Sequence, residues 1–348
     1  MVSDAGVIAA GWANDVIQTL EEEKLSYRLF SEVSPNPRSA EVMKGADVYK
    51  TSNCDAIVAV GGGSVMDCAK GIGIVSSNGT NILSFEGVDK VDIPIPPLVC
   101  IPTTAGTSAD VSQFAIINNE FEKVKIAIIS KAVVPDVALI DPVVLVSMDS
   151  YLTACTGMDA LVHAIEAFVS TASSSFTDLN ALEAIRLINE NLVSSIEQPN
   201  DYELRGKVML GSLYAGLAFS NASLGCVHAM AHSLGGFLDL PHGECNAILL
   251  PHVINYNFDA ADSKFEKIGE VFGLEMKGLL NNKKRELIIG HIFQLKTKIG
   301  IVKTLKERGV SSSDIPLLAS KAIKDPCQIT NPRTPSKEDI EIIYSEAM

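Results

Sequence analysis

The stretch DAIVAVGGGSVMDCAKGIGIV, residues 55–75, indicates the fold because it joins a short apolar strand to a helix through three consecutive glycines. Without Cβ atoms, Gly61, Gly62 and Gly63 would let a pyrophosphate approach the backbone closely. The helix that begins near Ser64 would direct free N–H groups and the positive end of its dipole at the same anion. The string is not the GxGxxG fingerprint of dinucleotide-binding folds. The pattern alone therefore leaves two interpretations open, a phosphate-binding loop and a structural turn.

A second loop, IPTTAGTSAD at residues 101–110, follows another strand-like run of the chain. In open α/β sheets, ligands bind beyond the carboxyl ends of the strands, where both loops are expected to lie. There, Thr103, Thr104 and Thr107 could form hydrogen bonds with a ribose or an amide of a cofactor. Taken singly, these threonines are more typical of turns and helix caps. Two such loops at one sheet edge favour nucleotide binding.

Hydrophobic periodicity divides the chain into two domains. In the first part, apolar runs at residues 97–102, 124–130 and 136–141 alternate with segments of helical length. Runs that are apolar on both faces predict the strands of a buried, mostly parallel sheet, and hence an α/β domain over residues 1–146. From there onward, apolar residues recur at intervals of three and four, which predicts an all-helical domain over residues 147–348.

Composition limits the function classes. The 348 residues, 47% of them hydrophobic, are enough for two separate cores. The formal net charge of −14, without a basic block, argues against nucleic acid or an anionic membrane as the main partner. The seven cysteines form no CxxC pair, which predicts neither a disulfide framework nor a cysteine zinc site. No uninterrupted apolar run is long enough to span a bilayer. We therefore expect a cytoplasmic enzyme that acts on a small molecule.

Histidines cluster in one segment of the helical half. His228, His232 and His242 are three of only six histidines in the chain. His228 and His232 are four residues apart, so they project from one face of a helix. Asp159 and His163 repeat this spacing on another predicted helix. The five side chains offer enough nitrogen and oxygen ligands for one divalent cation.

A purely structural role is the alternative interpretation, in which each histidine is a helix residue satisfied by hydrogen bonds. For the whole set metal binding is favoured, because a buried aspartate and several imidazoles would otherwise carry desolvation costs. One carboxylate with imidazoles suits Fe(II), Zn(II), Co(II) or Mn(II), and the residues do not choose among these ions. Paired with a nicotinamide on the sheet domain, such a Lewis acid predicts hydride transfer between the two domains.

Five motifs occur in order along the chain: GGGSVMDCAK, IPTTAGT, GMDALVHAIEAF, GCVHAMAHSLGGF and PHGECNAILLPHVINYN. Together they resemble the iron-containing alcohol dehydrogenase family, and within it the group of short-chain primary alcohol, diol and lactaldehyde dehydrogenases. The resemblance runs from about residue 2 to the C-terminus. It implies an N-terminal dinucleotide-binding α/β domain with a parallel sheet, and an all-α C-terminal domain, in the fold shared with dehydroquinate synthase.

The resemblance also implies a function. It is that of an NAD-dependent, divalent-metal-dependent oxidoreductase that interconverts primary alcohols or diols and aldehydes, with Fe(II) as the expected ion and Zn, Mn or Co as alternatives. By the family pattern, the metal ligands would be Asp159, His163, His228 and His242. His232 would instead lie beside the nicotinamide and the substrate, and would assist proton movement without binding the metal.

The same resemblance assigns the NAD contacts to the sheet domain. They would be Gly62, Gly63 and Ser64 at the pyrophosphate, Thr103, Thr104, Thr107 and Ser112 around the nicotinamide half, Lys125 at its ribose, and Asp4 and Asn36 on the adenosine side. Asp4 would favour NAD over NADP, because the 2′-phosphate of NADP would meet a like charge.

Relatives in this family normally have a few dozen residues before the point that corresponds to Met1. We therefore expect the first strand of the sheet to be nearly absent. Two other functions remain open at this stage, a sugar-phosphate lyase or cyclase of the same superfold and a shortened, non-catalytic paralogue that binds alcohol or cofactor. We further expect a homo-oligomer, a dimer or higher, with no nucleic acid or membrane partner.

Overall fold

The computed structural model describes residues 1–122, 124–238 and 240–348. Internal contacts divide the chain into two compact units, Met1–Ser147 and Met148–Met348. The first unit combines strands and helices, and the described elements of the second are helical. The expected fold class, an α/β part with a parallel sheet followed by a helical part, is confirmed.

The first unit alternates strands with helices. Its strands are β1 (Ile57–Gly61), β2 (Gly87–Val88), β3 (Leu98–Pro102), β4 (Phe114–Asn119), β5 (Val124–Ile129) and β6 (Val137–Ala138). Its helices are α1 (Ala5–Ala9), α2 (Trp12–Glu22), α3 (Ser39–Thr51) and α4 (Gly63–Asn78).

The described strands form two sheets rather than one. A parallel sheet has the order β1-β3-β6, and a second sheet has the order β2-β5-β4. In the second sheet β5 runs parallel to β2 and antiparallel to β4, so residues 124–130 contain a strand as predicted, but it lies in a separate mixed sheet and not in the mostly parallel one. β4 ends at Asn119 and β5 begins at Val124. A connection this short joins antiparallel strands, because a parallel crossover needs a dozen or more residues.

The start of the chain pairs with β1. Val2 forms an isolated parallel bridge to Ala59, and its side chain is buried. The hydroxyl of the next residue, Ser3, donates a hydrogen bond to the Val60 carbonyl at 2.8 Å. These contacts bring Asp4 to the carboxyl end of β1.

The glycine stretch forms the turn between β1 and α4. Gly61 ends β1, Gly62 is the N-cap residue of α4, and the helix begins at Gly63. A Cβ atom on Gly61 would lie 2.5 Å from the Val65 side chain, so a larger residue would push the helix away from the strand. The structure thus contains the strand, turn and helix that residues 55–75 predict.

The described elements of the second unit are α-helices and short 3₁₀ turns. The helices are α5 (Ser150–Val169), α6 (Ser175–Glu197), α7 (Tyr202–Ala222), α8 (Cys226–Leu238), α9 (His242–Asn257), α10 (Asp262–Val271), α11 (Asn281–Lys298), α12 (Ile315–Ala322) and α13 (Lys337–Glu346). α5 packs against α6, α7 and α9, and α8 packs against α9 and α12. The helices that carry the candidate metal ligands are therefore neighbours.

α5 is the central helix of this unit. It begins after the N-cap residue Asp149, whose carboxylate accepts a hydrogen bond from the Leu152 N–H at 2.7 Å. By length and composition alone, α5 could cross a membrane, and so could α7 and α8 if they are taken as one bent pair. In the folded chain, however, 89% of the apolar window of α5 is buried inside the protein. Its apolar character is therefore that of a core helix.

Candidate functional site

Three helices carry the residues that the sequence predicts to bind a metal. α5 places Asp159 and His163 one turn apart, since residues at i and i+4 share one face of a helix. α8 begins at Cys226 and carries His228 in its first turn, and His242 is the first residue of α9. Each predicted ligand thus lies within a helix, so the backbone fixes its position.

The four predicted metal ligands lie together. Ligand atoms of Asp159, His163 and His228 all lie within 4.8 Å of one another. Asp159 Oδ1 is 3.7 Å from His228 Nε2 and 3.6 Å from His242 Nε2. The first three residues are buried, whereas the His242 side chain is 28% exposed. The set is therefore reachable from solvent at His242.

Close contact between α5 and α9 makes this arrangement possible. A Cβ atom on Gly243 would lie only 2.1 Å from the carbonyl oxygen of Cys155. Real Cβ atoms do not approach a carbonyl oxygen so closely, so the backbone of α9 can touch that of α5 only through a glycine. The contact holds the neighbouring residue His242 close to Asp159.

Ring stacking fixes the planes of the imidazoles. The His163 ring stacks on Phe219 and on His228, each with 4.4 Å between ring centroids. The His232 ring stacks on His242 with 5.2 Å between centroids. His232, which the resemblance assigns to proton movement, therefore lies directly beside the predicted ligand set.

Glu166 orients His228 and was missed by the sequence analysis. Its buried Oε2 lies 2.6 Å from His228 Nδ1 and accepts a hydrogen bond from the Gly225 N–H at 3.0 Å. Its Oε1 accepts a hydrogen bond from the Val227 N–H at 2.6 Å, so the carboxylate also caps the N-terminus of α8. With Nδ1 held in this way, Nε2 is the nitrogen left for a metal. The missed signal was spacing, since Glu166 lies two turns after Asp159 on the same helix face.

Asp325 orients His232 in the same manner. Its Oδ2 lies 2.8 Å from His232 Nδ1, and its Oδ1 accepts a hydrogen bond from the Cys327 N–H at 2.9 Å. Burial alone would raise the pKa of Asp325, but the His232 imidazole and these hydrogen bonds lower it to about 2. The carboxylate is therefore ionised at neutral pH. Nothing in the sequence marks this residue, because Asp325 and His232 are 93 positions apart.

The carboxylate of the predicted ligand set is ionised, which is the state in which it can bind a metal. Burial alone would raise the pKa of Asp159, but the imidazoles of His163, His242 and His228 outweigh burial and hold the pKa well below its usual range. One ionised carboxylate and three imidazoles within reach of one point form a donor set of the type that holds Fe(II) or Zn(II). The residues present thus fit a divalent cation.

In the first unit, the two loops predicted to bind a nucleotide pack against each other. A Cβ atom on Gly62 would lie 3.1 Å from the Thr104 side chain, and one on Gly63 would lie 2.7 Å from Thr107 Oγ1. Within the described part of the chain, no side chain caps the N-terminus of α4. The Val65 and Met66 N–H groups donate to the Gly62 carbonyl, which leaves the Gly63 and Ser64 N–H groups for an anion, as a phosphate site requires.

Three predicted cofactor residues form a hydrogen-bonded chain. The Asn36 N–H donates to Ser64 Oγ at 3.2 Å, and the Lys125 ammonium group donates to Asn36 Oδ1 at 2.7 Å. Asn36 has a φ of 60°, in the left-handed region that asparagine tolerates better than most residues. The structure thus brings together residues predicted at the pyrophosphate, at a ribose and on the adenosine side.

Ser112 is held by a buried lysine that the sequence analysis did not single out. Lys70 Nζ, on α4, donates hydrogen bonds to the carbonyl oxygens of Ser112 at 2.7 Å and Phe114 at 2.8 Å. Lys70 is fully buried, and burial lowers the pKa of its ammonium group. The lysine ties the segment that carries Ser112 to the helix that follows the glycine turn.

The remaining predicted cofactor residues lie at the carboxyl edge of the parallel sheet. Asp4 is the N-cap residue of α1, and its Oδ1 accepts a hydrogen bond from the Val7 N–H at 2.9 Å. The Thr103 N–H donates to the Gly61 carbonyl at 3.0 Å, just beyond the ends of β1 and β3. This edge is where open α/β sheets bind their ligands.

A cluster of imidazoles and one carboxylate in a helical unit, together with a glycine turn at the carboxyl edge of a parallel sheet, is typical of metal-dependent oxidoreductases that use a dinucleotide. Comparison with known proteins gives the family. Residues 1–142 match the family described as iron-containing alcohol dehydrogenase, and residues 153–348 match its C-terminal part. The chain belongs to the iron-containing alcohol dehydrogenase family, which confirms the resemblance carried by the sequence motifs.

Relatives and solved structures agree with this assignment. The chain is 40% identical to 1,3-propanediol dehydrogenase of Citrobacter freundii, over all of this chain and 90% of that protein. It is 38% identical to NAD-dependent methanol dehydrogenase of Bacillus methanolicus, over all of this chain and 91% of that protein. A crystal structure of 1,3-propanediol oxidoreductase superposes with a TM-score of 0.97, at 40% identity, over all of this chain and 91% of the other. These similarities do not favour the lyase or cyclase, or the non-catalytic paralogue.

Proposed function

We propose that this chain is an NAD-dependent, divalent-metal-dependent dehydrogenase that interconverts primary alcohols or diols and aldehydes by hydride transfer. The observation that carries the proposal is the convergence of Asp159, His163, His228 and His242. The names of the relatives support it, since one is a propanediol dehydrogenase and another an NAD-dependent methanol dehydrogenase. Fe(II) is the proposed ion, and Zn(II), Mn(II) and Co(II) suit the same donor set.

In this proposal, residues 147–348 are the metal-binding and catalytic domain. A cation held by the four ligands would act as a Lewis acid, which polarises a carbonyl group or acidifies a hydroxyl group. Glu166 holds His228 so that its Nε2 points toward Asp159. Stacking on Phe219 holds the plane of the His163 ring. The ligands are therefore oriented before substrate arrives, which reduces the reorganisation needed during the reaction.

His232 is the proposed catalytic residue for proton movement. Its Nδ1 is engaged by Asp325, so Nε2 is the nitrogen that would exchange a proton with the substrate hydroxyl. In alcohol oxidation His232 accepts this proton, and in aldehyde reduction it returns the proton. Its side chain is 15% exposed, which leaves a path for the proton to solvent.

Residues 1–146 are the proposed NAD-binding domain. Gly62, Gly63 and Ser64 would contact the pyrophosphate, and the remaining residues would bind the two nucleoside halves as the resemblance implies. The nicotinamide-side residues are Thr103, Thr104, Thr107, Ser112 and Lys125, and the adenosine-side residues are Asp4 and Asn36. The packing of Gly62 and Gly63 against Thr104 and Thr107 supports this assignment.

A cytoplasmic location is part of the proposal. All seven cysteines are free in the structure, which suits a reducing compartment. A homo-oligomer of two or more chains stays a prediction from the sequence, and light scattering of the purified protein would check it.

The direct test is turnover by the purified protein loaded with Fe(II) under anaerobic conditions. We expect NADH to form from NAD and ethanol, butanol or a propanediol, and we expect a chelator to remove the activity. A protein that carries one divalent ion per chain, yet forms no NADH with any of these alcohols, would refute the proposed reaction.

Asp325→Asn is predicted to impair proton movement without disturbing the metal. An asparagine no longer selects the His232 tautomer that leaves Nε2 free to accept a proton. We expect kcat to fall about 100-fold, the lower range for loss of a general acid or base, with little change in KM. Steady-state kinetics and metal analysis of the purified variant would measure both effects.

A matched control is Asp314→Asn, because among the contacts described the Asp314 carboxylate accepts a hydrogen bond only from the nearby Ser311 N–H. This variant should retain both kcat and metal. If Asp325→Asn lost its metal, or kept full kcat, the assigned role of Asp325 would be wrong.

Asp4→Asn is predicted to weaken the discrimination between NAD and NADP. Asparagine caps a helix as well as aspartate does, so the hydrogen bond from the Val7 N–H should persist. Only the negative charge that opposes a 2′-phosphate is removed. We expect the ratio of kcat/KM for NAD to that for NADP to fall about tenfold, the effect of a screened charge pair near the surface. An unchanged ratio would remove Asp4 from the adenosine site.

A further inference from the structure

Asn246 lies on α9 one turn after His242, and its side chain is fully buried. Its amide nitrogen Nδ2 is 2.6 Å from Asp159 Oδ1, 3.1 Å from His228 Nε2 and 3.2 Å from His242 Nε2. These atoms belong to three of the four proposed metal ligands. The amide oxygen Oδ1 accepts no hydrogen bond from any residue in the described part of the chain. The side chain is therefore oriented entirely by its donor group.

The reverse orientation of the amide is unfavourable. It would place Oδ1 where Nδ2 now lies, 2.6 Å from an ionised carboxylate oxygen. Two oxygens without a hydrogen between them repel at that distance, so the hydrogen-bond network assigns the nitrogen to this position. One amide hydrogen then goes to Asp159, and the second goes to a ring nitrogen of His228 or His242.

The number of lone pairs on each ligand atom determines how the Asn246 contact affects metal binding. A carboxylate oxygen has more than one lone pair, so Asp159 can accept from Asn246 and bind a metal at the same time. An imidazole nitrogen has a single lone pair, which serves either the amide or the metal. Whichever histidine accepts the second amide hydrogen must therefore give up that hydrogen bond when the ion binds.

We propose that Asn246 competes with the catalytic cation for its ligands, so that its amide stabilises the metal-free protein and lowers metal affinity. The inference rests on the proposed function, because it takes the four-residue set as the metal site. As a consequence, the ligands remain ordered without metal, but the protein binds the metal less tightly. An enzyme of this kind would exchange its metal more readily than the ligand set alone would allow.

The test is Zn²⁺ binding by Asn246→Ala, measured by competition with a chromogenic chelator. Removal of one hydrogen bond that exists only in the metal-free form should tighten Zn²⁺ binding about tenfold. Thermal unfolding of both forms gives an independent readout. By linkage, the metal-free variant should lose more stability than the Zn²⁺-loaded variant.

Asn191→Ala is the matched control, because Asn191 is also a buried helical asparagine and donates a hydrogen bond to the Leu187 carbonyl. It should destabilise the metal-free and Zn²⁺-loaded forms equally and leave Zn²⁺ affinity unchanged. If Asn246→Ala does not fold, Asn246→Ser keeps a polar group too short to reach the imidazoles and should show the same tightening.

Two results would overturn the inference. Weaker or unchanged Zn²⁺ binding by the Asn246 variants would show that the amide supports the metal-bound form or is indifferent to it, while the proposed function would stand. Failure of the wild-type protein to bind Zn²⁺ would overturn the inference and the proposed function together. Because the readouts are affinity and stability, neither result depends on finding the correct alcohol.

Discussion

Asp159→Asn is expected to release the catalytic cation and to abolish alcohol oxidation. The substitution preserves the size of the side chain but replaces the one anionic ligand of the set by a neutral amide, whose oxygen binds a divalent cation more weakly than a carboxylate does. Loss of a Lewis acid worth several kcal/mol of transition-state stabilisation predicts a fall in kcat/KM of about 1,000-fold or more. Metal content after gel filtration and NADH formation by the same sample would measure the two effects.

The control for this prediction lies on the same helix. Asp149 caps the N-terminus of α5 through the Leu152 N–H and lies outside the ligand set. Asparagine is an equally good cap, so Asp149→Asn should retain metal and activity. If Asp159→Asn kept one ion per chain and normal turnover, Asp159 would not be a ligand, and the proposed site would be misplaced.

Glu166→Ala is expected to weaken both the fold and the metal site. The substitution leaves His228 Nδ1 and the N–H groups of Gly225 and Val227 buried without their acceptor. Removing one partner of a buried charged network typically costs about 3–5 kcal/mol. For a unit of roughly 200 residues, this lowers the melting temperature by about 10 °C. Loss of the partner that orients a metal-binding histidine should weaken Zn²⁺ binding about 10- to 100-fold.

Two further variants separate the effect on the fold from the effect on the His228 contact. Glu190→Ala removes an exposed glutamate that pairs with Arg186 and should shift the melting temperature only slightly. Glu166→Gln keeps an acceptor for the helix N–H groups, so it should recover part of the stability while the His228 contact is impaired. Wild-type Zn²⁺ affinity in Glu166→Ala would show that His228 needs no such support, or that His228 does not bind the metal.

The local elements could be predicted because their periodicity is strong. The glycine turn between an apolar strand and a helix, and the four-residue spacing of His228 and His232, depend only on neighbouring residues. The strand β4 was missed because its apolar part, residues 114–117, is short and is followed by two asparagines. Its pairing with β5 also explains why residues 124–130 were wrongly assigned to the parallel sheet.

The contacts that orient the site could not be predicted in the same way. Glu166 reaches His228 across 62 positions, and Asp325 reaches His232 across 93. Spacing could have placed Glu166 on the ligand face of its helix, but neither pairing with a histidine follows from local spacing, because each depends on how separate segments of the chain pack. The motif resemblance supplied the candidate ligands, but it does not reveal which carboxylates form hydrogen bonds with the histidines and orient them. Lys70 was visible in the glycine motif, yet only the folded chain shows that it holds the Ser112 segment.

The glycine at position 243 has a consequence for redesign of this protein. Because the α9 backbone rests directly on the Cys155 carbonyl, the separation between the two helices at this point is set by main-chain atoms. Mutagenesis libraries that aim at new alcohols can therefore vary the surrounding side chains without changing the span between Asp159 and His242. The same libraries should leave position 243 unchanged, since even one added methyl group would force α5 and α9 apart, and with them Asp159 and His242.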